Sequence, residues 1–276
     1  MKETASLLNP KANLFEKIRI HQPKWWKLLC EDKELYIEIR KDNSINVYFF
    51  GGSIARIEYK NGFVAKIHQK YLGDYKPRGK TKKGNDKFEY DKIDLSKLNE
   101  LKIAEIKNCI KTDYIRHINV EKPSEKWIQG KIIKENPRYI DSEFQFNKDN
   151  VIGKLRIDLI ELSDGVLTFI ELKGIFDNRL RNKAQSSSIP EIIEQMKKYR
   201  QFINTYQIDI IDYYKKLIEI KQSLGLTIIE NNNFTINKTP KLIIANTYKK
   251  IDSRREKRIS DIEELLKTYN IDYDII

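Results

Sequence analysis

Residues 156–173 read RIDLIELSDGVLTFIELK, two apolar runs that flank an Asp-Gly pair at 164–165. Asp-Gly is the favoured sequence for a two-residue type I′ turn, so the stretch predicts a β-hairpin. Counting outward from this turn places Asp158 directly opposite Glu171 on the neighbouring strand. Lys173 is two residues beyond Glu171 and therefore points to the same face of the sheet. The hairpin thus brings two carboxylates and one amine to one face.

Two carboxylates at facing positions repel each other, because their Cβ atoms lie only about 5 Å apart. A divalent metal between Asp158 and Glu171 would offset this repulsion, since carboxylate oxygens are ligands that Mg²⁺ prefers. The alternative is a solvated strand edge, but the Ile, Leu and Phe neighbours on both strands favour a metal site. Together with Lys173, the two acids outline a phosphodiester-cleaving site.

The chain carries a strong excess of basic residues. In its 276 residues, 52 Lys and Arg stand against 40 Asp and Glu, a formal net charge of +12. Such an excess favours a polyanionic partner, most commonly nucleic acid, over the alternative of a passive lysine-rich surface. No apolar run approaches the length of a membrane span, so no membrane partner is expected. Cys30 and Cys109 lie far apart and outside any CxxC pattern, which predicts reduced core thiols in a cytoplasmic protein.

The first part of the chain, residues 1–118, predicts a β-rich domain with helices. A helical pattern over 13–30 is interrupted by Pro23, and four strand-like runs follow between residues 35 and 72, separated by Gly-Gly and Asn-Gly pairs. This pattern predicts an antiparallel β-meander. Residues 73–93 are polar and heavily charged, which predicts a loop or linker. We expect this domain to serve recognition, regulation or dimerisation.

The second part, residues 119–276, predicts an α/β core. A helix starts at Ser124, a strand follows at 141–146, and the hairpin comes next. A basic loop then leads to a long helical pattern that begins near Pro190, and a strand at 241–246 and a charged final helix come later. The order is α-β-β-β-α-β around a mixed central sheet, an α/β class of fold that is α+β overall.

These motifs and their order resemble the PD-(D/E)xK nuclease superfamily, whose fold many restriction endonucleases share. Asp158 in RIDL and the run 171–173 in FIELKG match its catalytic motif. Gln195 and Tyr199 match the QxxxY element of some branches. One departure is Ile157, which stands where the family motif has proline. The tripeptide Glu-x-Lys alone is not specific, because it recurs elsewhere in this chain; its position at the end of the hairpin distinguishes it.

The resemblance covers about residues 120–250. It implies a restriction-endonuclease-like αβββαβ core and a Mg²⁺-dependent endonuclease, or other nuclease, that hydrolyses phosphodiester bonds in DNA, with Mn²⁺ able to substitute. Restriction, repair or phage defence would be its setting. Two alternatives stay open: a catalytically silent nucleic-acid-binding module, and a nuclease subunit that acts only with a partner protein. The resemblance is compatible with a homodimer or with a partner protein bound through the N-terminal domain. It leaves open whether the substrate is DNA or RNA.

The resemblance further implies roles for single residues. Asp158, Glu171 and the main-chain carbonyl of Leu172 would hold the metal. Lys173 would orient or help to deprotonate the attacking water and would stabilise developing negative charge.

Four other residues are expected near the site. Glu125, on the first core helix, is the preferred candidate for an additional acid, and Glu143 on the next strand is its rival. The alternative for Glu125 is a first-turn glutamate that favours the helix dipole. Gln195 and Tyr199 share a helix face and would position the lysine or DNA, whereas the alternative places Tyr199 in the core.

Basic side chains near the hairpin and on the last helix are candidates for phosphate contacts, with solvated loops as the alternative. They are Arg156, Arg179, Arg181, Lys183, Arg254 and Arg255.

Overall fold

Two β-sheets with helices around them form the structure, a computed structural model that describes residues 8–73, 79–80, 82, 84, 89–115, 122–146, 153–181, 189–229 and 233–276. One sheet is antiparallel and has five strands, and the other is mixed. The predicted combination of an N-terminal meander and a mixed sheet is confirmed at this level.

The N-terminal layer consists of two short helices and the five-stranded sheet. The helices are separated at Pro23, as predicted, because proline has no N–H with which to continue a helix. The strands follow one another in the order β1-β2-β3-β4-β5, each antiparallel to the next. The elements are α1 (Asn13–His21), α2 (Lys24–Glu31), β1 (Tyr36–Ile39), β2 (Ile45–Phe49), β3 (Gly52–Tyr59), β4 (Phe63–His68) and β5 (Tyr90–Asp94).

Strand β5 corrects the prediction that residues 73–93 form a loop or linker. It pairs along β4 and closes the meander as an edge strand. Its sequence, YDKID, is mostly polar because one face is exposed, so it lacks the apolar alternation that would predict a strand. Residues 74–78, 81, 83 and 85–88 of this stretch lie outside the described part of the chain.

Both cysteines are free thiols, but the prediction that they belong to the core is wrong. Cys30 is exposed and Cys109 is half-buried. On α2, the buried face consists of Trp25, Trp26 and Leu29, which leaves Cys30 on the solvent side of the helix.

The second layer contains the mixed sheet, in the order β11-β10-β8-β7-β6, with the short β9 pairing alongside β8. β6, β7 and β8 are antiparallel, whereas β8, β10 and β11 are parallel. The predicted order is present as α4-β6-β7-β8-α5-β10, and β9 and β11 were not predicted. The elements are α3 (Glu100–Ile115), α4 (Glu125–Glu135), β6 (Tyr139–Phe146), β7 (Leu155–Ser163), β8 (Val166–Gly174), α5 (Glu191–Ser223), β9 (Thr235–Ile236), β10 (Lys241–Ala245), α6 (Ser253–Thr268) and β11 (Asp272–Ile275).

The β7–β8 hairpin has the predicted turn and register. Asp164 and Gly165 have φ values of 51° and 73°, the positive values that a type I′ turn requires. Pairing starts at Ser163 opposite Val166 and continues without a bulge. The Asp-Gly turn therefore fixes which residues of the two strands lie at the same level.

The two layers touch through backbone at two glycines. A Cβ at Gly130 of α4 would lie 2.7 Å from the Gly51 nitrogen, and a Cβ at Gly51 would lie 2.4 Å from the Lys126 carbonyl oxygen. Any side chain larger than hydrogen would push the layers apart. The β2–β3 turn is thereby held directly against the helix that begins at Glu125.

A set of buried charged residues also joins the layers, and we call Glu38, Arg40, Asp141 and Lys221 the interlayer cluster. Lys221 Nζ lies 3.3 Å from Glu38 Oε2, and Arg40 Nη1 lies 3.8 Å from Asp141 Oδ1. Tyr214 donates to the other Asp141 oxygen at 3.1 Å. Each carboxylate is therefore paired and hydrogen-bonded, as buried charges need to be.

The buried apolar side chains of both layers belong largely to one continuous cluster. The predicted domain boundary at 118–119 falls among residues 116–121, outside the described part of the chain, so the division into two domains stays a prediction. In the described residues, no helix combines the length and the apolar character needed to span a membrane.

Candidate metal and catalytic site

A fork between β7 and β8 opens the candidate site. Ladder pairing stops at Leu159 and Ile170, one step before Asp158 and Glu171. Beyond this point β8 pairs with β10 on its other side. The Asp158 carboxylate accepts a hydrogen bond from the Leu172 N–H at 3.0 Å, in place of a strand partner. The two acids thus lie in the predicted register but just past the end of the ladder.

Three oxygen atoms converge on the ammonium group of Lys173. Its Nζ donates to the Leu172 carbonyl at 2.7 Å and to Glu171 Oε1, and it lies 3.6 Å from Asp158 Oδ2. Lys173 and Glu171 are each 2% exposed, whereas the Asp158 side chain is 22% exposed. Among the described residues, Asp158 Oδ1 has no donor. The oxygens predicted to bind a metal are therefore gathered around one positive charge.

Glu171 is held in place by the predicted Gln-Tyr pair. The Tyr199 hydroxyl lies 2.6 Å from Glu171 Oε2 and also reaches the Arg156 carbonyl, and Gln195 Nε2 donates to that hydroxyl at 2.9 Å. Tyr199 is fully buried, so its core position and its polar contact occur together. Burial and then the neighbouring Asp158 carboxylate raise the pKa of Glu171 to about 7. The pair therefore orients Glu171 directly, whereas it was expected to position the lysine or DNA.

In front of the three oxygens lies a pocket of about 310 Å³, which we call the site pocket. Glu125 lines it, as do Gln195 and Lys126. The Glu125 carboxylate lies 3.6 Å from Arg179 and shares a hydrogen bond with Asp177. Burial raises the pKa of Glu125, and the bond to Asp177 acts in the same direction because it requires a proton between two carboxylates. Glu125 is thus at the rim of the pocket and not among the three oxygens.

Glu143, the rival acid, is directed away from the site. The paired residues on either side of it put it level with Asp158 across the β6–β7 ladder. Its backbone, however, has a φ of 54°, and its carboxylate pairs with Arg156. Arg156 lines the site pocket, whereas Glu143 does not. The positive φ and the ion pair with Arg156 keep this carboxylate out of the site pocket.

No family model, curated protein or solved structure matches this chain. What the site can bind must therefore be judged from its own donor atoms.

The donor set fits Mg²⁺ or Mn²⁺. It comprises two carboxylates and one main-chain carbonyl, all hard oxygen ligands, beside an open pocket. Mg²⁺ is commonly held by one or two carboxylates and keeps several water or phosphate ligands. Within the described residues, no three His, Cys, Asp or Glu side chains gather around one point. Asp158, Glu171 and Leu172 are the residues that would hold the ion.

Three of the predicted phosphate-binding residues lie in a wide basic groove of about 980 Å³ between the 175–181 segment and α6. Arg181, Arg254 and Arg255 line it, and Lys122 contributes a further positive charge. Arg255 lies over the Tyr248 ring at 5.0 Å. Arg179 lines the site pocket and not this groove, and Asp177 holds it there. Lys183 lies outside the described residues.

Sequence reasoning missed two contacts that shape the site. Gln129 donates to the Asp158 carbonyl at 2.6 Å, which satisfies a main-chain group left open by the fork. Asp177 accepts hydrogen bonds from the Arg179 guanidinium on both carboxylate oxygens. Gln129 was detectable as a polar residue on the buried face of α4. Nothing in the polar loop around Asp177 distinguished that residue.

Proposed function

We propose that this protein is a Mg²⁺-dependent nuclease that hydrolyses phosphodiester bonds, with DNA as its substrate. The observation that carries the proposal is the convergence of Asp158, Glu171 and the Leu172 carbonyl on one positive charge at the edge of an open pocket. A divalent ion bound there would polarise the scissile phosphate and lower the pKa of a bound water.

The chain's own residues have separable tasks in this proposal. Lys173 supplies N–H donors and positive charge where negative charge develops on the phosphate. Tyr199 and Gln195 hold Glu171 in one orientation. Arg156 and Arg179, both on the wall of the site pocket, offset the charge of an incoming phosphate. Glu125 is placed to exchange a proton with water or with a leaving group at the rim.

The element order supports the same proposal. The motif residues lie at the β7–β8 fork, the first core helix carries Glu125, and the following helix carries the Gln-Tyr pair. This arrangement is the one that the resemblance to the PD-(D/E)xK superfamily implies, and we include a restriction-endonuclease-like core in the proposal. The preference for DNA rests on that resemblance, and the net charge of +12 supports a polyanionic substrate.

The test is a cleavage assay on linear, circular and single-stranded DNA and on RNA, each with Mg²⁺, Mn²⁺ or EDTA. We expect cleavage with either metal and none with EDTA. Asp158→Asn, Glu171→Gln and Lys173→Met should be inactive although they remain folded. Their melting temperatures are compared with that of wild type, and the measured activity of a less stable variant is corrected for its folded fraction. Glu161→Gln, on the paired part of β7, and Lys241→Met, on β10, are matched controls that should retain activity.

Each other outcome has a defined meaning. Nucleic-acid binding without cleavage under any condition would replace the proposal by the silent binding module. Metal binding at Asp158 and Glu171 in an inactive isolated chain would indicate a nuclease subunit that needs a partner protein. Full activity of any of the three site variants would overturn the mechanism.

A further inference from the structure

Three basic residues lie directly opposite one another across the N-terminal sheet. Arg56 of β3 pairs with Lys66 of β4, and Lys66 pairs with Lys92 of β5. Like charges at facing positions destabilise a sheet. Glu58 compensates two of them, since it accepts from Arg56 at 3.1 Å and from Lys66 at 2.6 Å. Lys92 is exposed and has no ion-pair partner among the described residues, so the row attracts an anion.

Aromatic rings lie beside this row of charges. At the next level of the same strands, His68 faces Tyr90, with ring centroids 5.1 Å apart and an interplanar angle of 78°. Tyr90 is 55% exposed, although a tyrosine of a sheet normally packs against its neighbours. Exposed aromatic rings next to positive charge are the combination with which proteins stack unpaired bases and bind the adjoining phosphates.

The row and the rings form one wall of a cleft of about 870 Å³, which we call the sheet cleft. The opposite wall includes Lys126 of α4 and Glu143 of β6. The two acidic residues that line the cleft already have cationic partners, because Asp113 pairs with Lys70 and Glu143 pairs with Arg156. The charge available to a ligand in the cleft is therefore positive.

The sheet cleft adjoins the site pocket. Lys126 lines both, and Arg156 of the site pocket is paired to Glu143 of the cleft. The backbone contact between Gly51 and Gly130 holds the sheet against the helix that carries Lys126. A chain that lies in the cleft can therefore continue directly to the three oxygens.

We infer that the sheet cleft binds a single-stranded segment of the polynucleotide substrate next to the bond that is cleaved. This inference rests on the proposed function and deepens it by naming the substrate class. The volume lies in the range of pockets for one small molecule, about 300–1,000 Å³, which suits a few nucleotides of one strand and not a length of duplex. Stacking on Tyr90 and His68 likewise requires unpaired bases.

Binding measured in EDTA separates this inference from catalysis. Fluorescence anisotropy with labelled single-stranded DNA, single-stranded RNA of the same sequence and blunt duplex would be compared for wild type, Tyr90→Ala and Lys92→Ala. Tyr90→Phe, which keeps the ring, and Lys33→Ala, an exposed lysine outside the cleft, are the matched controls. The DNA and RNA arms show which polynucleotide supplies the single strand.

We expect wild type to prefer a single strand to blunt duplex. Tyr90→Ala should lose about 5-fold or more in affinity with an unchanged salt dependence, because it removes stacking. Lys92→Ala should lower the slope of log affinity against log salt by about 0.7, because it removes one phosphate contact. Both controls should bind as wild type does.

The inference is overturned if both alanine variants bind single strands as wild type does, or if wild type binds duplex at least as tightly. If either of these binding results is found and wild type still cleaves with Mg²⁺, the proposed function stands and only the assignment of the sheet cleft fails. If wild type binds none of the three nucleic acids and cleaves none, both are wrong.

Discussion

Two clusters of buried charge adjoin the mixed sheet, the site on β7 and β8 and the interlayer cluster between β6, β1 and α5. They differ in how completely their oxygens are used. In the interlayer cluster, Lys221 and Ser142 bind the two oxygens of Glu38. Asp141 is similarly bonded on both oxygens, by the Ser142 N–H and by Tyr214. In the site, Asp158 Oδ1 has no donor among the described residues, and the carboxylate borders an open pocket.

This difference shows that two buried clusters of similar composition can have different roles, one in stability and one in ligand binding. A saturated cluster can only hold its surroundings together, because its lone pairs have no capacity left for a ligand. An unsaturated cluster beside a pocket can accept a further cation at moderate cost, because one carboxylate is already partly solvated. We therefore expect substitutions in the interlayer cluster to change stability and substitutions in the site to change activity.

The largest expected effect is on catalysis at the site. Glu171→Gln keeps the size of the side chain and removes its charge, so it should lower metal-dependent cleavage by at least about 100-fold, the usual cost of losing one electrostatic contact to a transition state. Initial cleavage rates at saturating Mg²⁺ measure this. Glu161→Gln serves as the control. If it lost as much activity as Glu171→Gln, the effect at Glu171 would not be specific to the site.

The next effect is on stability at the interlayer cluster. Lys221→Met leaves Glu38 buried without its cation, which should lower the free energy of unfolding by about 3–5 kcal/mol. Lys216→Met, on the same helix, breaks the partly exposed i,i+4 pair with Asp212 and should cost about 0.5 kcal/mol or less. Urea unfolding measures both. The contrast between the two clusters would be contradicted if Lys221→Met were as stable as wild type, or if it lost cleavage while remaining folded.

A smaller effect is expected at Tyr199. Tyr199→Phe removes the hydroxyl that lies 2.6 Å from Glu171 and keeps the buried ring. Residues that orient a metal ligand typically change metal affinity or activity by about 10–100-fold. The Mg²⁺ concentration for half-maximal cleavage should therefore rise, with little change in melting temperature. An unchanged metal requirement would reduce Tyr199 to a packing role.

The smallest effect concerns pH. Burial, and then the nearby Glu38, raise the pKa of Asp141 from 3.8 to about 7. A carboxyl whose pKa is higher in the folded chain stabilises the fold while it is protonated, and this contribution is lost as the pH rises from about 4 to about 7. Asp141→Asn cannot titrate, so its melting temperature should fall less over this range than that of wild type. Equal slopes in the two proteins would show that Asp141 titrates as an ordinary acid.

The sequence predicted the hairpin well because its information is local. The Asp-Gly pair sets the turn, the turn sets the register, and the register places Asp158 level with Glu171. The helix start at Ser124 was also predictable, since its side chain accepts from the Trp127 N–H. What these signals share is that each depends on residues a few positions apart.

The rest depended on contacts between distant segments. The β7–β8 ladder ends at Ile170, where β8 begins to pair on its other edge with β10, a strand about 70 residues later in the chain. The direction of Glu143 depends on one positive φ, and β5 is an edge strand without apolar alternation. The approach of Gly51 to Gly130, which brings the N-terminal sheet to the site, cannot be deduced from either glycine alone.

The most direct test of the central claim is Mn²⁺ binding, measured by electron paramagnetic resonance on wild type, Glu171→Gln and Lys173→Met. We predict that wild type binds Mn²⁺ and that Glu171→Gln loses this binding. Lys173→Met should still bind Mn²⁺, because the lysine contacts the same three oxygens that the metal needs and its removal leaves them available. Lys173→Met should nevertheless lose cleavage. Binding that is absent from wild type, or that is unchanged in Glu171→Gln, would contradict the assignment of these oxygens as a metal site.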